Sequence, residues 1–591
     1  MFQTASPYIQ KLLKGKINWK PYTYKTLNLA IKEDKIIFIH IGNIANIEHR
    51  EAAIELFNNK EVINIINNNF IAVAIDSEDV PEAYLIGLDL LLINEHKVSC
   101  YINVFSLPGL KPFISFSSLN KEQFISITNN IIESFKNKRD LLNKASHYLV
   151  ERLLSSGVVT KKEPPINISD KILHLYVESW FKRFNSDGTY YKRSPYTLNA
   201  RYYVFLLKYA VRYNKTNIID FVKDRLKYTY YSAIFCPIDN CVFKQAHDYS
   251  FKVPLYEVDM SENAQIAILY SMAYKYTGVE LFKEVSNNIL EYIENNMHST
   301  NGGYITSKTL KLTPSKSSYY KYSLKELKDN FNNNYLNIAT YLGMDINLSE
   351  TKQQIIFTTP SKNKLTKKDI EILKQIRSSK AGELLCDNRV IIGHNSIFAT
   401  ALCIIARNSD KKEYYTSKAE EIINYLIEIK KGHKDIISRY VSGDNEQYYE
   451  SDLYDYSLLL NCTLSLYSLT KKEIYKNLTN SYSAFVLLNF YQSYNGMFSK
   501  SYQEKNEIPF KRESIIDYTR FSANSVMAGN LLFLYKLTKD NIYIETFKQM
   551  IYNIEPHLIG SGPLMTGWAL QILNYLSTPQ HYSLNNNELS P

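Results

Sequence analysis

Two short runs, "IIFIHIG" and "FIAVAID", are apolar at nearly every position and rich in β-branched residues, the pattern of strands buried on both faces. Between and around them the apolar positions recur at helical spacing, in "TLNLAIKEDK", "EHREAAIELFNNKEVINIINNN", "EAYLIGLDLLLI" and "NKEQFISITNNIIESFKNK". "CYINVFS" and "KPFISFS", joined by the turn "LPGL", predict a β-hairpin before the last of these helices. The order is helix, strand, helix, strand, helix, hairpin, helix over residues 1 to about 140. That is an α/β layer in which a βαβ unit feeds a hairpin.

Further along the strand signal fades. The stretch 155–169, "SSGVVTKKEPPINIS", carries two prolines, charge and small residues, and predicts a linker. Helical periodicity then recurs in pairs over 170–185, 197–214, 217–230, 261–277, 279–297, 394–408, 411–429, 452–469, 471–490, 523–537, 540–554 and 562–577. Loops such as "NGGYI" and "NGMFS" place Gly beside an aromatic. Twelve paired helices with such loops predict an all-α (α/α)6 barrel, six hairpins closed around a central funnel. An open solenoid is the alternative, but no fixed 34- or 40-residue period shows. The expected domains are therefore 1–145, a linker over 146–169, and a barrel over 170–591 with a divergent insertion at about 300–390.

A chain of 591 residues, 45% hydrophobic and 22% charged, is long enough for two cores. Its 49 tyrosines, with Asn- and Lys-rich runs, fit compositional drift or aromatic walls that stack on sugar rings. The net charge of +10 is scattered, with no basic stripe and no nucleic-acid motif, so no nucleic-acid partner is expected. The N-terminus lacks the apolar core of a signal peptide and no run reaches membrane-spanning length, so the expected compartment is the cytoplasm and no membrane partner is expected. The six cysteines, Cys100, Cys236, Cys241, Cys386, Cys403 and Cys462, form no CxxC and no zinc spacing, so no metal and no cofactor are expected.

"SPYIQ", Trp19 with Pro21, "EDKIIFIHIG", "NKEV", "NVFSLPGLKPF", "VPLYE", "HNSIFATAL", "LYDYSLLL" and "FSANSV" stand in an order that resembles the thioredoxin-domain family that includes spermatogenesis-associated protein 20. The resemblance implies a thioredoxin-like domain joined to a six-hairpin barrel like those of sugar epimerases and glycosidases. The departures matter most. "HIGNIANIEHREA" occupies the strand–helix junction where the family has a CxxC pair, and it carries Asn46 and His49 instead. Thiol–disulfide exchange needs a thiolate at a helix N-terminus and a second thiol, and neither residue supplies one. The family's Trp-Pro before its "NVF" strand is here Cys100 and Tyr101, so the proline beside the thiols is also gone. Cys100 is expected as a buried strand residue, and His49 as a solvated helix residue.

Within the barrel, "VPLYEVD" offers Glu257 and Asp259, shortly after His247 and Asp248, with Leu255 where the family has His. "GHNSI" offers His394 and Asn395, "LYDYS" offers Tyr454 and Asp455, and "DYTRFSANS" offers Asp517, Arg520, Ser522 and Asn524. Glycoside hydrolysis needs one protonated and one ionised carboxyl, and sugar epimerisation needs a base. Glu257, Asp455, Asp517 and His394 are the catalytic candidates; Asn395, Tyr454, Arg520 and Asn524 are the ligand-binding ones. The ordinary alternative for each is structural: an Asp, Ser or Asn before a helix most often caps it. The expected function is a thioredoxin fold without thiols, on a barrel that binds a carbohydrate-like or other polar ligand or scaffolds a protein partner. An active carbohydrate isomerase, epimerase or hydrolase is the alternative, and a thiol oxidoreductase the least favoured.

Overall fold

Residues 4–577 are described by a computed structural model, apart from 96–98, 100, 158, 164–167, 185–194, 301, 361–363, 381–383, 430–435, 442–448, 503–512, 514 and 519. The chain divides into two units, Met1–Val159 with Ser442–Tyr449 and Ser499–Glu513, and Thr160–Val441 with Glu450–Phe498 and Ser514–Pro591.

The first unit opens with helices α1 (Pro7–Leu12) and α2 (Tyr24–Lys32). The two apolar runs form strands β1 (Ile36–Gly42) and β2 (Phe70–Asp76), parallel in register from Ile36–Phe70 to Gly42–Asp76 and buried throughout. β3 (Ile102–Leu107) and β4 (Lys111–Phe116) form the hairpin, and the sheet order is β2-β1-β3-β4. Its turn passes Gly109 and Leu110 at φ 84° and 57°, a left-handed geometry that glycine adopts without strain. Pro112 has no N–H to give the ladder; it sits on edge strand β4 opposite Ser106, where the register shifts.

The stretch read as one helix from Glu48 to Asn69 is two, α3 (Ile47–Phe57) and α4 (Lys60–Asn69). Asn59 breaks it by capping α4, its side chain accepting from the N–H groups of Glu61 and Val62 at 3.0 and 3.4 Å. α5 (Pro81–Glu95), α6 (Lys121–Asn137) and α7 (Arg139–Gly157) complete the unit. The expected linker at 146–169 thus begins inside α7, which packs on α5 and β4 and buries Leu149 and Leu153. Those two leucines, one turn apart, make residues 146–157 part of the first unit rather than a spacer.

All twelve expected helices of the second unit form. They are α8 (Asp170–Phe181), α9 (Ala200–Arg212), α10 (Thr216–Tyr230), α11 (Met260–Thr277) and α12 (Glu280–Asn296), then, after the insertion, α16 (Ile392–Ala406), α17 (Lys412–Ile427), α18 (Leu453–Thr470), α19 (Glu473–Asn489), α20 (Ala523–Thr538), α21 (Asn541–Leu558) and α22 (Thr566–Leu576). The insertion holds α13 (Leu324–Phe331), α14 (Tyr335–Tyr341) and α15 (Lys367–Ser378). Helices α9, α11, α16, α18, α20 and α22 each pack on the next, and α22 returns to α9, so the ring is closed. The other six lie outside it, α10, α12, α17, α19 and α21 each against its hairpin partner and α8 against α22. α16 shows why such a helix goes inside: "IGHNSIFATALCIIA" is apolar or small on every face and buried almost throughout. The insertion is tied in by strand Ser307–Leu310, paired with Leu384–Asp387 on one side and Val258–Asp259 on the other.

Candidate functional site

At the N-terminal ends of the inner helices the chain gathers a set of buried charged side chains, among them Arg201, Asp259, Asp455 and Asp517. Asp259 caps α11, accepting from the Ser261 hydroxyl at 2.8 Å and the Glu262 N–H at 3.1 Å. Lys244 Nζ bridges it to Glu257, 3.0 Å from each carboxylate. Burial pushes the Asp259 carboxyl up, but Lys244, His394 and the capping bonds outweigh it and hold the group at about 2. Glu262 goes the other way: its burial outweighs Arg201 and Arg520 and raises it. His394 is buried on α16 with its charge bearing on Asp259. Of the weaker candidates, Asp248 organises its own loop, accepting from the N–H groups of Lys252 and Val253 at 3.0 and 2.8 Å, while His247 pairs its backbone N–H with Val253.

Asp455 is fully buried, and both of its oxygens are engaged. One accepts from the Gly393 N–H at 3.2 Å; the other pairs with buried Arg439. A reciprocal capping box with Asp452 holds the start of α18. A Cβ on Gly393 would lie 2.7 Å from the Asp455 carboxylate, so glycine is what permits this approach of α16 to α18. Burial raises the Asp455 carboxyl against the pull of Arg439.

Asp517 is equally buried but has no salt bridge among the described residues. Its oxygens accept from the backbone N–H groups of Ser522 at 2.8 Å and Gly567 at 2.6 Å. Burial outweighs Arg201 and these two bonds and lifts the carboxyl to about 6.

The two asparagines do one job, shared with a third. Asn395 exchanges two hydrogen bonds with the backbone of Tyr304, at 2.8 and 2.9 Å, and Asn524 does the same with Phe498, at 2.9 Å each. Asn263, which the sequence reading did not single out, clamps Val242 in the same way at 2.8 and 2.9 Å. Each side-chain amide thus fastens the start of an inner helix to a neighbouring loop or strand, and Ser522 caps α20.

A cavity of about 520 Å³ runs through the ring of inner helices. Of the expected site residues only Tyr454 lines it. Arg520 lies over the Tyr454 ring, 5.1 Å from its centroid. Glu257, Asp455, Asp517, His394, Asn395 and Asn524 sit outside the lining. The residue the sequence reading missed is Arg201 at the start of α9. It is 5% exposed, lines the cavity and stacks 5.2 Å from the Phe521 ring. Its Nε donates to Asn199 at 3.1 Å, but its buried Nη1 has no hydrogen-bond partner among the described residues. A lone basic residue at the head of the helix "ARYYVFLLKYAVR" was the available signal.

In the first unit, Asn46 is the N-cap of α3 and accepts from the His49 backbone N–H at 3.3 Å, with His49 Nδ1 3.0 Å away. His49 is not the solvated residue expected: it is half-buried, stacked on Tyr101 with centroids 5.5 Å apart, and burial lowers its pKa. Cys100 lies outside the described residues, and it is the only cysteine in Met1–Val159. Among the described residues Cys236, Asp239 and Cys241 come close enough to share a metal ion, but Arg377 already holds Asp239 by two bonds of 2.7 and 2.5 Å. No helix among the described residues is long and apolar enough to cross a membrane.

The family described as "Protein of unknown function, DUF255" (Thioredox_DsbH) matches residues 1–154. Spermatogenesis-associated protein 20 of Rattus norvegicus is 20% identical over 346 residues, covering 56% of this chain and 44% of that protein. The chain therefore spans less than half the length of that relative. Among solved structures, a sugar epimerase from a ruminal bacterium is 10% identical with a TM-score of 0.47, over 70% of this chain and 100% of that one. A D-mannose isomerase is likewise 10% identical, with a TM-score of 0.46 and the same coverage.

Proposed function

We propose that the bore of the helical ring binds a carbohydrate-like polar ligand, and that the thioredoxin-like unit does no disulfide chemistry. The observation that carries the first part is Arg201. A guanidinium N–H buried without an acceptor costs about 1–3 kcal/mol or more, and Arg201 Nη1 is such a group on the wall of an open cavity. Nη1 is sealed from solvent as it stands, so a ligand oxygen on that wall satisfies it once the side chain turns toward the cavity. Phe521 and Tyr454 on the same wall supply the flat apolar faces on which a sugar ring rests, and Gln265 and Asn461 add amides. The second part rests on composition: one cysteine in the unit leaves no partner thiol for an intramolecular exchange.

A thermal-shift screen of mono- and disaccharides tests the reading. A stabilising sugar whose effect disappears in Arg201→Gln supports it; no shift with any sugar contradicts it. A second reading, a carbohydrate enzyme, is favoured by Asp517. Its carboxyl, lifted to about 6, lies behind the cavity lining under the charge of Arg201 and is suited to exchanging protons near neutrality where the lining opens to it. Turnover of the bound sugar that is lost in Asp517→Asn, with binding retained, distinguishes it from simple binding.

A further inference from the structure

Among the described residues, the charged groups lining the bore are Arg201, Lys208, Arg212, Lys275 and Lys536, all cations, with no carboxylate. Arg212 is neutralised by Asp170 at 3.3 Å. The three lysines are not neutralised by any described residue. The charges that bear on Lys208 are those of Lys536, Lys275 and Arg407, and the charge that bears on Lys536 is that of Lys539. All are positive. Among the described residues Lys275 otherwise meets the ring of Tyr276, 5.7 Å away.

Helix dipoles explain part of this. Lys275 and Lys536 stand in the last turns of α11 and α20, where a cation meets the negative end of the helix. Lys208 has no such reason. It lies a full turn inside α9, which ends at Arg212, and still faces the cavity. A lysine set into a wall with only like charges for neighbours is destabilising unless something anionic sits among them.

We propose that Lys208, Lys275 and Lys536 form an oxyanion site at the end of the bore opposite Arg201, taking a phosphate or carboxylate group. Where the bore also holds a sugar, as proposed above, the ligand class is an acidic sugar: the ring lies at Arg201, Phe521 and Tyr454, and the anionic substituent reaches the lysines. Burial presses both Lys208 and Lys536 down to about 8, helped by the charges of Lys536, Lys275 and Arg407 on Lys208 and of Lys539 on Lys536, so an arriving anion also draws protons onto them.

Reductive methylation of the full-length chain with ¹³C-formaldehyde at pH 8 reads this out residue by residue, with Lys208→Gln and Lys536→Gln assigning the signals. Inorganic phosphate or gluconate should slow the labelling of Lys208 and Lys536 roughly tenfold or more at saturation, while uncharged glucose at the same concentration leaves it unchanged. Protection by phosphate alone identifies a phosphate site, and by gluconate alone a carboxylate site. No protection by either anion, or equal protection by glucose, overturns the oxyanion site. Failure of the sugar reading looks different: phosphate then protects the lysines while no sugar shifts the melting temperature. Neutral sugars that bind without any anion protection sink only the oxyanion site.

Discussion

Asp455 and Asp517 are the same residue type at the same end of the ring, buried to the same degree, and their neighbours make them different. Asp455 is locked to Arg439, Gly393 and Asp452. Asp455→Asn removes the nearer of the two carboxylates that face the buried Arg439 guanidinium and leaves Asp452, 3.6 Å away, as its counter-charge; urea unfolding should show a loss of about 1–3 kcal/mol. Asp517 accepts hydrogen bonds from two neutral N–H groups and feels Arg201 through its charge alone, and its folded pKa of about 6 lies above the ordinary carboxylate value because burial outweighs both. The fold then binds more protons than the unfolded chain between about pH 4 and 6. Stability contributed by the protonated form is present below pH 4 and is lost as pH rises through 6, opposite in sign to a salt-bridged aspartate. Relative to Asp517→Asn, the wild type should lose about 2–3 kcal/mol over that range, measured as the difference between their unfolding free energies. Neither contrast was legible in the sequence. "LYDYS" and "DYTRFS" both show an Asp near a helix start, but Arg439 and Gly567 lie 16 and 50 residues from their partners. Such distant pairing leaves no local trace.

The elements were more legible, because periodicity is local. β1 and β2 appear as unbroken apolar runs, and all twelve barrel helices announce themselves by their spacing. What escaped was punctuation. Asn59 splits one apparent helix in two because its side chain caps the second half, and the charged stretch "KNKRDLL" disguised the start of α7. The asparagine clamps are another case: Asn395 and Asn524 read as caps or ligands and Asn263 drew no notice, whereas all three bind the backbone of a neighbouring segment. Asn524→Ala strips both hydrogen bonds from buried Phe498, and chemical denaturation should show a loss of about 2–4 kcal/mol, with a similar loss for Asn395→Ala.

For the molecule as a whole, the sheet of the first unit stands in a segment with a single cysteine, and the ligand site proposed for this chain is the bore of the ring. The purified chain should give no catalysed insulin reduction above a reagent-only control; appreciable turnover would mean that thiols outside the first unit do the exchange. What stands or falls first is the bore as a ligand site with Arg201 at its heart. It is tested most directly by a crystal structure with the best-stabilising sugar. Density is expected inside the ring, with a ligand oxygen about 3 Å from Arg201 Nη1. A sugar bound elsewhere, or Arg201 left untouched beside it, contradicts the account.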